Sequence, residues 1–278
     1  MDWIERASLD LWRFTKGVVS KRTLDALRNF VLTKYSSQSS HVKVLGLTKS
    51  FLKYLTKTRL DTRYYAFELF LDKPKSLKER KNITRRIITK EDIEYVLDYI
   101  NQARKAGLIN RHRATHYSAF VLFAAFTGQR SVSTVSRLKV VQFREALRWT
   151  KPVLLVEAEQ DKIRMAHYVP LHQQVIEAMK PLLVERKDDE LIFEYHSLAM
   201  WLKRRKIPLK RCKAHFVLGD LRKFAEQHGD ILEWEQSNRA YILTHGLSGI
   251  EWAHYRHPLP DSVYDIYMKY WGGVFFES

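Results

Sequence analysis

With 278 residues, 45% hydrophobic and 28% charged, the chain has material for one large or two smaller globular domains and is too apolar for a disordered protein. Its formal net charge is +17, and residues 1–90 carry 21 of the 48 Lys and Arg against 8 of the 31 Asp and Glu, a field that suits nucleic acid before an anionic membrane surface. The only cysteine, Cys212, excludes an intramolecular disulfide and a cysteine-rich zinc site.

The first residues, Met1-Asp2-Trp3-Ile4-Glu5-Arg6, carry acids and no long apolar stretch, so no signal peptide is expected. Trp3, Ile4, Ala7, Leu11 and Phe14 recur at helical spacing. Ser20 reads as the N-cap of a second helix carrying Leu24, Leu27, Phe30, Val31 and Tyr35. Ser39 or Ser40 opens a third, through Val42, Leu45, Phe51, Leu52 and Leu55, and a shorter helix is expected around 64–71. The polar faces carry Lys21, Arg22, Lys49, Lys53, Lys57 and Arg59, a density that favours contact with a DNA backbone over a merely solvated face.

Residues 72–87 have few large apolar side chains, one proline and many positive charges, which predicts a basic linker between a helical domain at 1–71 and a second domain at 88–278. The second domain restarts with a helix capped at Thr89, with Asp92 three residues on, through Ile93, Val96, Leu97 and Ile100. Another helix covers roughly 112–126 and stops at Thr127-Gly128. Strands are expected at 153–157 and 163–169, joined by the polar turn Glu159-Gln160-Asp161-Lys162, and from Leu171 the pattern is mostly helical. The expected fold is therefore mainly α with a small β-ribbon. Within 202–213, Lys203, Arg204 and Arg205 suit a solvated face and a grip on phosphates equally. No apolar run approaches the ~18 residues of a membrane span. No metal-ligand spacing such as HExxH is present, so neither metal nor cofactor is expected, and the lone cysteine suits a reducing, cytoplasmic setting.

Transfer of a phosphodiester without a metal needs a nucleophile, cations for the non-bridging oxygens and an acid for the leaving hydroxyl. Arginine suits the second role because its planar fork meets two phosphate oxygens at once. The second domain offers Arg130, Lys162, Arg222, His245 and Tyr255 in that order. Each has a duller reading. Arg130 follows a helix stop, Lys162 sits in a polar turn, Arg222 has Asp220 and Glu226 in reach, and His245 precedes a helix-ending glycine. Tyr255 competes with Tyr264, Tyr267 and Tyr270, but those three, with Ile266 and Trp271, read better as the packing face of a last helix.

At these residues the chain resembles the tyrosine recombinase (phage integrase) family. Thr127-Gly128-Gln129-Arg130 is similar to its TGxR box, and Lys162, eight residues before Pro170 of a Val-Pro-Leu segment, is similar to its hairpin lysine. Asp220-Leu221-Arg222-Lys223-Phe224 looks like the second arginine box, and His245 with His254-Tyr255-Arg256-His257-Pro258 looks like the final box in its archaeal virus and plasmid form. The resemblance covers about 88–272, and 1–71 is similar to the family's helical core-binding domain.

The resemblance implies a site-specific recombinase whose two domains close on double-stranded DNA. Tyr255 would attack, Arg130 and Arg222 would hold the phosphate with help from His245, and Lys162 would act as the acid. It also implies a homotetramer on paired DNA sites, with a free monomer as the alternative, and 261–278 as a segment exchanged between copies. One position departs: the histidine expected three residues before Arg222 is Gly219. His215, seven residues before Arg222, is the candidate to fill that role, with Lys213 and Lys210 behind it. A type IB topoisomerase-like or resolvase activity, or a DNA-binding protein of this fold without catalysis, are the other readings.

Overall fold

The computed structural model describes residues 3–35, 38–71, 86–245 and 258–277. The chain divides into two compact units, 1–83 and 84–278. Most of the expected linker, 72–85, lies outside the described residues.

The first unit is helical: α1 (Trp3–Thr15), α2 (Lys21–Lys34), α3 (Gln38–Arg59) and α4 (Arg63–Phe67), the last tightening into a 3-10 turn at Glu68–Leu71. The Ser20 hydroxyl accepts the Thr23 amide at 3.3 Å while the Thr23 hydroxyl accepts the Ser20 amide at 3.0 Å, so two orphan donors at the start of α2 are satisfied. Leu24, Leu27 and Val31 of α2 bury against Val44, Leu45 and Leu52 of α3 and Ala7 of α1. Asp10 is buried in α1 and takes hydrogen bonds from Lys34 Nζ at 2.7 Å and the Tyr35 hydroxyl at 2.9 Å. That carboxylate holds the Lys34 ammonium above its ordinary pKa. Val42 and Phe51, expected on the apolar face of α3, are exposed, because the buried stripe runs through 44, 45, 48 and 52 and leaves them to its flanks.

The second unit is mainly α with one ribbon. Its elements are α5 (Lys90–Lys105), α6 (Arg111–Thr127), α7 (Val140–Ala146), β1 (Val153–Val156), β2 (His167–Pro170), α8 (Gln173–Leu183), α9 (Tyr195–Arg205), α10 (Gly219–Ile231), α11 (Gln236–Leu243) and α12 (Pro260–Trp271). Helix α6 is buried almost all round from Ala114 to Thr127 and packs against α5, α8 and α10, as expected of a helix with no polar face in its second half. Thr89 begins α5 with its amide donating to Asp92 at 2.9 Å. The ribbon is antiparallel, pairing Val153 with Pro170 and Val156 with His167.

The second strand starts four residues later than its apolar pattern predicts. The Asp161 carboxylate takes the Ile163 amide at 3.0 Å, and Arg164 sits at φ +57°, so 161–164 are held as a turn instead of extending the ladder. On α12 the packing face is Val263, Tyr267 and Trp271; Tyr264 and Tyr270 are half-buried, and Ile266, expected among them, is exposed because it lies off the i, i+4, i+8 stripe. The Tyr267 hydroxyl donates to the Phe126 carbonyl at 2.9 Å, which fixes the end of α6 from behind. Among the described residues no helix is long and apolar enough to cross a membrane.

Candidate active site

Helix α6 ends at Gly128, whose φ of +63° is a left-handed cap that glycine adopts without a Cβ penalty. The tightness here is steric as well. A Cβ built at Gly128 would lie 2.3 Å from Leu243 Cδ2 and 2.9 Å from Ala225 Cβ. The turn therefore presses against α10 and the end of α11, and it throws Arg130 over the last carbonyls of α11.

Those carbonyls are the orphan acceptors that every helix C-terminus leaves, and they carry the negative end of the helix dipole. Three consecutive ones are taken by side chains from other segments. Ile242 O accepts from Gln129 Nε2 at 2.7 Å, Leu243 O from Arg222 Nη2, and Thr244 O from Arg130 Nη2 at 3.4 Å. Arg222 Nη1 also donates to Gly128 O at 3.1 Å, so this one guanidinium ties α6 to α11. Arg130 Nη1 donates to the Thr244 hydroxyl at 2.8 Å and to Asp161 Oδ1 at 3.1 Å. Thr244 holds this position at φ +48°, a strained conformation for a β-branched residue.

The two arginines lie close enough to matter to each other. Burial first, and the Arg130 charge second, push the Arg222 guanidinium down to about 10, so it remains cationic at neutral pH. Two partly buried cations in mutual repulsion are relieved by an anion. The Arg130 Nε–H and one Nη2–H have no partner among the described residues, and each Arg222 Nη retains one uncommitted hydrogen. Arginine forks with N–H groups left over in this way suit an anion with two or more oxygens.

Lys162 is exposed at the tip of the β1–β2 turn, beside Asp161, with no hydrogen-bond or ion-pair partner among the described residues. His245 follows the cap of α11; its amide donates to Ala240 O, and its ring is 70% exposed with Nδ1 3.6 Å from Glu226 Oε1. The same carboxylate oxygen is 3.6 Å from Arg222 Nε, so Glu226 stands between the two. Asp220, the other partner considered for Arg222, is taken by Arg86, which grips it with Nε and Nη2 and also donates to His215 O at 2.7 Å.

The placement of His215 rests on a helix that does not extend to it. Helix α10 begins at Gly219, and His215 lies upstream in a β-bridge with Pro208, exposed and with no hydrogen bond to Arg130 or Arg222 among the described residues. The helix stops there because Asp220 Oδ2 takes the Val217 amide at 2.9 Å and closes the first turn. A Cβ at Gly219 would meet nothing within 4 Å, so the position that lacks a histidine is open at its first side-chain atom. Tyr255 lies outside the described residues.

The basic residues fall into two groups. On α3, Lys49, Lys53 and Lys57 are spaced four apart along one face, with Arg59 exposed beyond them. Lys21 and Arg22 occupy the first turn of α2, where positive charge opposes the dipole and contributes nothing to the helix. In the second unit Lys203, Arg204 and Arg205 are exposed in the last turn of α9, in the segment that leads to α10.

Sequence reasoning missed Gln129, Asp161, Thr244 and His167. The buried His167 ring is bracketed by Met165 O at 3.0 Å and Gln129 Oε1 at 3.2 Å, and burial lowers its pKa. Asp161 was legible only as a polar turn residue, and nothing in its spacing pointed to Arg130. No cluster of three His, Cys, Asp or Glu that could hold a metal ion occurs among the described residues.

No family model and no curated protein matches the sequence. Solved structures do match in fold. The XerH site-specific recombinase bound to difH substrate, in its pre-cleavage complex, is similar with a TM-score of 0.56 at 18% identity over 90% of this chain and 70% of that one. A lambda integrase tetramer bound to a Holliday junction gives 0.53 at 16% identity over 86% and 67%. A lambda integrase(75-356) dimer bound to a COC′ core site gives 0.52 at 14% identity over 87% and 84%. The chain has the tyrosine recombinase fold.

Proposed function

We propose that the protein is a site-specific DNA recombinase that cuts and rejoins strands through a 3′-phosphotyrosyl intermediate. The observation that carries this reading is the pair Arg130 and Arg222, anchored on the same helix end with N–H groups left over. The fold shared with recombinases whose solved complexes hold a core site, a difH substrate or a Holliday junction supports double-stranded DNA as the partner. In this reading the Tyr255 oxygen attacks phosphorus as its proton passes to water, and the bond to the 5′-oxygen breaks. Arg130 and Arg222 hold the two non-bridging oxygens, and His245 assists from the side of Glu226. Lys162 gives a proton to the leaving 5′-oxygen, and the freed 5′-hydroxyl of a partner strand reverses the step. The phosphotyrosyl link keeps the bond energy, so rejoining needs no other source. Four copies on two paired sites complete the exchange, with 261–278 as the segment that passes between copies. Lys21, Arg22, Lys49, Lys53, Lys57 and Arg59 on one unit, and Lys203, Arg204 and Arg205 on the other, track the phosphate backbone.

The test is incubation with supercoiled plasmid followed by a denaturing gel. A protein band of increased mass that nuclease removes is the expected result; the lack of any adduct on plasmid, linear duplex or single strands favours a DNA-binding protein without catalysis. Binding should also be steeply salt-dependent, because each Lys or Arg on a phosphate releases counterions. Six to ten contacts lower affinity by about 10³–10⁵ between 50 and 200 mM salt. A flat response in fluorescence anisotropy would remove DNA as the reason for the charge.

A further inference from the structure

We propose that Asp161 is a positioning residue for strand transfer: one buried carboxylate that holds the phosphate-binding Arg130 and the proton-donating Lys162 in register. The inference rests on the recombinase reading above.

The side chain of Asp161 is 0% exposed. A carboxylate so buried persists only when paired and hydrogen-bonded on both oxygens, and both are engaged. Oδ1 accepts from Arg130 Nη1 at 3.1 Å and from the Thr244 hydroxyl at 3.2 Å. Oδ2 accepts the Ile163 amide at 3.0 Å, so the carboxylate closes a small ring around Lys162. The backbone closes a second ring, with the Arg164 amide donating to Asp161 O at 3.1 Å and the Asp161 amide to Ala158 O at 3.3 Å. Lys162 is thus an exposed residue, with Ile163 and Arg164, of a turn pinned on both sides. One of the pinning atoms belongs to the group that pairs with Arg130. Movement of Arg130 toward a phosphate would carry the lysine turn with it through a single rigid carboxylate.

General acid catalysis depends on the acid meeting the leaving oxygen while the phosphate is held, and a displacement of about 1 Å costs about 10²-fold. Asp161→Asn keeps the shape and loses the charge that faces Arg130. Asp161→Glu keeps the charge and moves it by one methylene. Both should cleave about 10²-fold more slowly than wild type in a single turnover at saturating DNA. DNA affinity should change little, since neither phosphate-facing arginine is removed.

The discriminating substrate is a duplex bearing the strongest cleavage position mapped with the wild type on supercoiled plasmid, made with either oxygen or sulfur at the 5′-bridging atom. A thiolate leaves without a proton. If Asp161 sets Lys162 as the acid, sulfur should recover at least about tenfold of the loss in both variants, as in Lys162→Ala, within the range one acid supplies. The unrecovered part belongs to Arg130. If Asp161→Asn fails to fold by circular dichroism, Asp161→Glu carries the test. Wild-type rates in the variants, or equal losses on both substrates, overturn the proposal. A wild type that forms no adduct on either substrate instead overturns the recombinase reading, and this inference with it.

Discussion

Arg222→Ala is expected to slow strand cleavage by about 10³-fold, the scale for losing one preorganised charged donor at a phosphoryl centre. The arginine does two things at once. It holds Gly128 O and Leu243 O, and it supplies a charge that burial and Arg130 have already made costly. Alanine leaves two carbonyls unpaired, each of which costs about 1–3 kcal/mol of stability. Lysine at 222 keeps the charge without the fork, so it separates the two roles. Arg222→Lys should fold as Arg222→Ala does or better and still cleave at least about tenfold more slowly than wild type, because a point charge cannot bridge helix end and phosphate together. Single-turnover cleavage at saturating DNA reads the effect. A rate for Arg222→Ala within threefold of wild type would take this residue out of the reaction.

The second large effect is on stability. Gly128→Ala should destabilise the second unit by about 2–4 kcal/mol, from overpacking together with left-handed backbone strain. The new methyl meets Leu243 Cδ2 at 2.3 Å and Ala225 Cβ at 2.9 Å, and the second of these belongs to a side chain with no rotamer to yield. For a unit of this size the melting temperature should fall by about 5–15 °C. Gly219→Ala is the internal control, since its Cβ meets nothing within 4 Å. Thermal unfolding followed by circular dichroism reads both. If Gly128→Ala melts with the wild type, the junction of α6, α10 and α11 is looser than these contacts require.

Much of this junction is legible in the sequence. Thr127-Gly128 marks the end of α6 because a glycine after a long apolar helix is a left-handed cap, and the basic stripe of α3 follows from lysines four apart. The helical character of 171–243 and the ribbon also follow from periodicity. What the pattern misses is set by single polar contacts between distant segments. The start of β2 is delayed by a carboxylate that is bonded to Arg130, thirty-one residues away in sequence. Helix α10 does not reach His215 because Asp220 closes its first turn and gives its charge to Arg86. Thr244 matters through a backbone conformation that its residue type disfavours, and no propensity scale points to it. Periodicity reports which side chains a helix buries, whereas these contacts depend on which helix ends meet.

The nucleophile is the most direct test. Wild type and Tyr255→Phe are incubated with the same plasmid, the adduct is digested with protease and nuclease, and the nucleotide-bearing peptide is identified by mass spectrometry. The expected result is a modified peptide containing Tyr255 in the wild type, and none in Tyr255→Phe, which binds the plasmid as tightly because only a hydroxyl is lost. An adduct that survives in Tyr255→Phe, or a modified peptide from 260–271 carrying Tyr264 or Tyr270, would contradict the assignment and move the attacking hydroxyl onto the last helix.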